Sequence, residues 1–159
     1  DSADVIILTS PVYVYHCTGS MKAWLDHYGY RWMLHRPNPD MFSKQGVCIS
    51  TAAGAGTKWT NKDMADSMFF WGMGKIYRYG TAVHAINYKS ISPEKMAEIE
   101  KATDKLAEKI RKNYGHVKPV LKTKTYFEVM RKLVKSGWNE VDVAYWKEHG
   151  WTEKARPWR

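Results

Sequence analysis

The sequence predicts an α/β fold in which a parallel β-sheet carries helices on both faces, followed by a helical extension at the C-terminus. Short apolar segments rich in β-branched residues alternate with longer segments of helical periodicity, as in consecutive βα units. This alternation covers residues 1–115 and does not continue in residues 116–159. We therefore expect one α/β domain over residues 1–115 and a separate extension over residues 116–159.

Three segments are predicted strands. Residues 3–10 (ADVIILTS) form a continuous apolar run that is followed by a proline, which is typical of a strand buried on both faces. Residues 45–50 (QGVCIS) repeat this pattern, and residues 75–87 contain a third, less regular strand. Helices are predicted between them from apolar residues at helical spacing: Met21, Trp24, Leu25 and Tyr28 in the first, and Met64, Met68, Phe69 and Trp71 in the second. We expect most of these residues, including Trp24, to lie in the core.

The third helix has the clearest sequence signals. Ser92 is a suitable N-cap and Pro93 occupies the first helical position, while Gly115 marks the end. Its core-facing stripe consists of Met96, Ile99, Thr103, Leu106 and Ile110. The extension then contains a basic amphipathic stretch over residues 126–134 and an aromatic, charged tail.

Composition narrows the classes of partner. The chain has 25 Lys and Arg against 16 Asp and Glu, a formal charge of +9 that attracts anions such as nucleotides. No apolar run approaches the roughly 20 residues that a bilayer span requires. Cys17 and Cys48 lack CxxC spacing, so neither a metal site nor a disulfide framework is indicated. The opening residues resemble no secretory signal, and we expect a cytoplasmic protein.

Two loops follow the first two predicted strands, where open α/β sheets bind ligands. The first loop, residues 10–20, carries Tyr13 and Tyr15 and ends in Thr-Gly-Ser at a predicted helix N-terminus. Free amide groups at such an end can meet an anion or a polar ring edge. The second loop, residues 51–57 (TAAGAGT), is so small that a flat ligand could lie against its backbone. Together the loops predict a site for a planar cofactor.

At these loops the sequence resembles a known family. Residues 10–27 (SPVYVYHCTGSMKAWLDH) resemble the flavin-loop signature of the NADPH-dependent FMN reductases, and the second loop is similar to their second flavin-side loop. Residues 142–151 (DVAYWKEHGW) resemble a C-terminal sequence of one branch. The resemblance implies a flavodoxin-like three-layer α/β/α fold, bound FMN, NADPH or NADH as reductant, and a homodimer. The implied FMN-binding residues are Ser10, Pro11, Val12, Tyr13, Thr18, Gly19, Ser20, Thr51, Ala52, Ala53, Gly54 and Gly56.

Three departures from the family pattern qualify this expectation. Val14 stands where many members have Asn, so backbone donors must replace a side-chain hydrogen bond, and His27 stands where many have Arg. The first two strands and the phosphate loop between them are absent from these residues. We therefore expect an incomplete sheet with an apolar edge at residues 5–8, and weak FMN binding by this chain alone.

The expected function is an FMN-dependent NAD(P)H oxidoreductase that reduces a quinone, a nitro or azo compound, free flavin or a metal complex. No acid-base pair or triad is expected, because the cofactor performs the chemistry. Two alternatives remain open: a flavin-binding electron carrier without its own substrate, and a basic binding module that has lost FMN. A nucleophile or metal ligand at His16 and Cys17 is disfavoured, since no second pair has ligand spacing. Nucleic acid is also disfavoured as a partner of the basic segment, since no recognition motif accompanies the charge.

Overall fold

The computed structural model describes residues 2–159, and Asp1, the first residue of the predicted domain 1–115, lies outside them. Within the described residues, one sheet contains three parallel strands in the order β1-β2-β3. The strands are β1 (Val5–Pro11), β2 (Gln45–Ala52) and β3 (Lys75–Ala82). The predicted parallel sheet is confirmed, with β1 at one edge.

Five α-helices surround and extend this sheet. They are α1 (Gly19–His27), α2 (Thr57–Phe70), α3 (Pro93–Asn113), α4 (Leu121–Lys135) and α5 (Glu140–Glu148). Alternating side chains of the strands point to opposite faces. Leu8 and Cys48 share a core with α1 and α2, whereas the Tyr77 hydroxyl on the other face donates to the Lys109 carbonyl of α3 at 3.3 Å. The predicted three-layer α/β/α, flavodoxin-like fold is confirmed.

The main core lies between the sheet and the first two helices, and it contains Met64, Met68 and Trp71, as their spacing predicts. The prediction that Trp24 lies in the core is wrong, because 41% of its surface is exposed. Its ring meets the buried Trp71 ring edge to face at the border of the core. The third helix begins as predicted, since the Ser92 hydroxyl accepts a hydrogen bond from an amide of the first turn.

The third strand is shorter than the sequence suggested. It ends at Ala82 rather than Asn87, because the chain turns at His84, which has a φ of 47°. A short 3-10 helix (Tyr88–Ser90) follows. Val83 and His84 still donate backbone hydrogen bonds to the carbonyls of Ala52 and Ala53, at 3.0 and 3.2 Å. Residues 83–87 therefore belong to a loop and not to the strand.

The helices α4 and α5 form a second core with residues that precede β2. Phe127 stacks on Trp146 with ring centroids 4.7 Å apart, and it meets Phe42 edge to face. Buried Asp142 of α5 pairs with His35, 2.8 Å from its Nδ1. Because residues 28–44 lead into β2, this second core lies toward the amino ends of the strands, away from the two loops.

In the part of the chain that the structure describes, no helix combines the length and apolarity that crossing a bilayer would require.

Candidate functional site

The carboxyl end of the sheet brings the two predicted loops into direct contact. The Val12 amide donates to the Thr51 carbonyl at 2.9 Å, which continues the β1–β2 ladder into the loops. Gly56 lies against the first loop so closely that an added Cβ would stand 2.5 Å from Val12 Cγ1 and 3.2 Å from Tyr15 Cα. The sequence predicted two loops at one edge, and the structure shows them packed together.

A tight hairpin turn forms the tip of the first loop. Tyr13 and His16 exchange two backbone hydrogen bonds of 3.0 Å, with only Val14 and Tyr15 between them. Both central residues have positive φ, 48° and 65°, the pattern of a type I′ turn. That conformation normally requires Asn or Gly, and a β-branched residue in it is a genuine outlier. The loop is therefore strained, and its strain lies at the predicted site.

The tip of the first loop is open to ligands. The Tyr13 ring is 64% exposed and the Val14 side chain is 91% exposed, although both are large hydrophobic residues. Their exposure leaves apolar area at the carboxyl end of the sheet, where a planar ligand could cover it.

Behind the tip, hydroxyl groups set the path of the chain into α1. Buried Ser10 accepts a hydrogen bond from the Thr18 amide at 3.1 Å and donates to the Pro11 carbonyl at 2.9 Å. The Thr18 hydroxyl caps α1 by accepting from the Met21 amide at 3.2 Å. The Ser10 hydroxyl thus shapes the loop, while Gly19 and Ser20 lie exposed in the first turn of α1.

The second loop presents its backbone to solvent. Ala52 is buried as the last residue of β2, whereas Thr51, Ala53 and Gly54 are exposed. Among the backbone hydrogen bonds between residues 2–159, the loop contributes carbonyl acceptors, and its amides at positions 54–56 donate to none. These open amides can donate hydrogen bonds to a ligand oxygen or ring nitrogen.

Asp63 in α2 is a contact that the sequence analysis missed. Its Oδ2 lies 3.0 Å from His16 Nδ1 and accepts a hydrogen bond from the Cys17 amide at 3.1 Å. Burial, and then the Asp63 carboxylate, raise the pKa of the Cys17 thiol, so the thiol is not activated as a nucleophile. No sequence signal marks Asp63, because the pairing spans 46 residues.

The end of β3 adds a third segment that the sequence analysis also missed. His84 is held beside Ala53 by a hydrogen bond from its backbone amide to the Ala53 carbonyl. Ile86 and Tyr88 follow it with highly exposed side chains. Parallel strands present their carboxyl ends at one edge of the sheet, so a third strand predicted to end at Ala82 would have indicated this loop.

The residues present fit the flat ring system of FMN. The exposed rings of Tyr13 and Tyr15 and the open amides of the second loop lie at the same edge of the sheet. Among residues 2–159, no group of three or more His, Cys, Asp or Glu residues is arranged to hold a metal ion. This arrangement is suited to holding a planar ring.

Comparison with known proteins shows the family. The family model described as NADPH-dependent FMN reductase matches residues 1–87, more than half of the 159-residue chain. No curated protein matches the chain. Among solved structures, a thermophilic tryptophan halogenase (Th-Hal) from Streptomycin violaceusniger matches with 16% identity and a TM-score of 0.45. That match covers 64% of this chain and 67% of the other, and it carries no argument about function. The matched residues include both loops, so the resemblance of these loops is confirmed, whereas residues 142–151 lie outside the match. The chain belongs to the NADPH-dependent FMN reductase family.

Proposed function

We propose that the protein is an FMN-dependent NAD(P)H oxidoreductase, and that its two loops hold the isoalloxazine ring. When bound, FMN accepts hydride from a nicotinamide nucleotide and passes the electrons to an acceptor such as a quinone, a nitro or azo compound, or free flavin. The observation that carries the proposal is the contact of the two loops at the carboxyl end of the sheet, within the residues that match the family.

The chain's own residues would bind and orient the ring. Pro11, Val12 and Tyr13 supply apolar surface along one side, and the backbone of residues 51–54 approaches from the other. Open amides in the second loop are placed to donate hydrogen bonds to ring oxygens or nitrogens. Amide dipoles aimed at the ring would stabilise negative charge that develops on it during reduction.

The side chain of Tyr13 offers the sharpest test. Tyr13→Ala removes an exposed ring while its backbone bonds with His16 remain possible. We expect FMN affinity to fall about tenfold, since stacking of an aromatic side chain on a ring contributes roughly 1–3 kcal/mol. Fluorescence titration with FMN measures the affinity. The matched control is Tyr114→Ala, an exposed tyrosine whose hydroxyl lies 3.3 Å from Asp4, before β1 and away from both loops. Equal affinity of Tyr13→Ala and the wild-type protein would contradict the proposed ring contact.

Two alternatives differ from this proposal in what they predict for turnover. An electron carrier would bind FMN but would not oxidise NADPH or NADH in the presence of artificial acceptors. A basic module that has lost FMN would show no flavin absorbance after reconstitution. Oxidation of NADPH by the reconstituted protein, with FMN bound, excludes both.

We also propose a homodimer, as the family resemblance implies, and the cytoplasmic location expected from the sequence. The division into residues 1–115 and 116–159 remains a proposal about the domains. Light scattering at micromolar concentration measures the mass, and a monomer would contradict the proposed dimer.

A further inference from the structure

Asp63 contacts two consecutive residues of the first loop from a neighbouring helix. One oxygen of its carboxylate, Oδ2, meets both the His16 ring and the Cys17 amide. The side chain of Asp63 is 28% exposed and that of His16 is 66% exposed, so the carboxylate forms the inner part of the contact. Hydrogen bonds to a charged acceptor are stronger than neutral ones when they are partly shielded from water.

The first loop requires an anchor of this kind. Its tip holds Val14 and Tyr15 at positive φ, a conformation that costs roughly 1–3 kcal/mol for each such residue. Among residues 2–159, the backbone hydrogen bonds that close the tip are the pair between Tyr13 and His16. Because His16 is one half of that pair, holding His16 and Cys17 in place also holds the strained tip.

Neighbouring acidic residues of α2 have different roles. Asp66 lies one turn further along the helix and forms an ion pair with Lys62, four residues earlier, on the surface. That pair stays within α2 and does not reach the first loop. Among the acidic residues of α2 that the structure describes, Asp63 is thus distinguished by its contact with the loop.

We propose that Asp63 is a positioning residue that holds the tip of the first loop in the conformation that receives the flavin ring. It acts through His16 and Cys17 and does not itself touch the ring. The inference about flavin rests on the proposed function, but the inference that Asp63 holds the loop can be tested without any ligand.

The alkylation rate of Cys17 measures how firmly the first loop is held, and Cys48 serves as the internal control. Cys17 is buried beneath it and Cys48 is fully buried in the main core. In the ligand-free protein, Asp63→Ala should raise the alkylation rate of Cys17 by iodoacetamide at least about tenfold, the factor that corresponds to losing one hydrogen bond to a charged group. Cys48 should remain unlabelled, which controls for global unfolding.

Two further variants separate the hydrogen bond from the charge. Asp63→Asn retains an acceptor for the Cys17 amide but removes the negative charge. Loss of that charge lowers the pKa of the Cys17 thiol and so raises its reactivity, whether or not the loop moves. Cys17 should therefore be alkylated more slowly in Asp63→Asn than in Asp63→Ala. Asp66→Ala should label like the wild-type protein. Labelling of Cys17 in Asp63→Ala at the wild-type rate, or at the rate of Asp63→Asn, would overturn the anchoring role.

Titration with FMN then tests the role of the anchor in binding. We expect Asp63→Ala to weaken FMN binding about tenfold or more, Asp63→Asn to restore part of the loss, and Asp66→Ala to bind normally. Faster Cys17 labelling with unchanged FMN affinity would overturn the link to flavin. If the wild-type protein binds no FMN, the proposed function fails, while faster labelling still supports Asp63 as the anchor of the loop. His16→Ala, at a mostly exposed position, provides a second test if Asp63→Ala does not fold.

Discussion

Gly56 is the position at which the packing of the two loops can be tested most directly. It is the N-cap of α2, with a φ of 106° and a ψ of −11°. A Cβ there would stand 2.5 Å from Val12 Cγ1 and 3.2 Å from the Tyr15 backbone. Gly56→Ala therefore imposes two separate penalties, one from the backbone conformation and one from the collision.

The size of the effect follows from these two penalties. An L-residue in the left-handed region costs roughly 1–2 kcal/mol. Forcing an extra carbon into a packed contact costs typically about 1–3 kcal/mol, because Val12 must leave its preferred rotamer or the first loop must move. We therefore expect Gly56→Ala to lower the free energy of unfolding by about 2–5 kcal/mol.

The same loop supplies the control. Gly54 has open space around its missing Cβ and a φ outside the left-handed range, so Gly54→Ala should change stability little. Relative to Val12→Ala alone, the double variant Gly56→Ala with Val12→Ala should recover the part of the collision penalty that the Val12 side chain causes, but not the tight approach to the Tyr15 backbone or the cost of the left-handed conformation. Urea denaturation followed by circular dichroism measures all three. Equal stability of Gly56→Ala and Gly54→Ala would refute the packing argument.

Two further predictions concern stability elsewhere in the chain. Burial raises the pKa of the Cys48 thiol from 9.0 to about 12, so the unfolded chain loses this proton first as the pH rises. Above about pH 9, this group should lower the free energy of unfolding by up to about 1.4 kcal/mol per pH unit, and denaturation of Cys48→Ala should show a correspondingly shallower decline. Asp142→Asn should destabilise the protein by about 1–3 kcal/mol, because its carboxylate is buried against a partly exposed His35. Thermal or urea unfolding measures this loss. The control is Glu140→Gln, at an exposed position in the same first turn of α5, which should change stability little. Equal losses of stability in the two variants would contradict the role of the Asp142–His35 pair.

Much of the fold could be predicted because its signals are local. The continuous apolar run of β1 and the N-cap at Ser92 depend on neighbours in the sequence, and both elements form where they were expected. The expected burial of β1 on both faces is wrong, because Ile7 is 55% exposed while Leu8 and Ser10 are buried. The end of β3 could not be predicted in this way. Val83 and Ile86 have high strand propensity, but the positive φ of His84 redirects the chain, and no Gly or Pro marks that turn. Propensity alone therefore extended the strand too far.

The burial of individual aromatic residues could not be predicted reliably from the sequence. Trp24 has the helical spacing of a core residue, yet it lies at the border of the main core, where α1 faces solvent. Phe42 precedes β2 without any periodic pattern, yet it is fully buried and packs against Phe127 in the extension. Periodicity identifies the face of a helix, but the partner of that face depends on tertiary contacts far apart in the sequence.

The tip of the first loop shows why local sequence could not predict the shape of the site. Val14 and Tyr15 disfavour the turn that they form, so the free energy that maintains it must come from outside the loop. The helix α2 provides two such contacts, with Gly56 against Tyr15 and Asp63 against His16 and Cys17. These two residues are seven positions apart, about two helical turns, and so they lie on the same face of α2. One face of α2 therefore holds both the end of the second loop, at Gly56, and the end of the first loop, at His16 and Cys17. Because α2 also contacts all three strands, the geometry of the proposed ring site is set by the packing of this helix on the sheet.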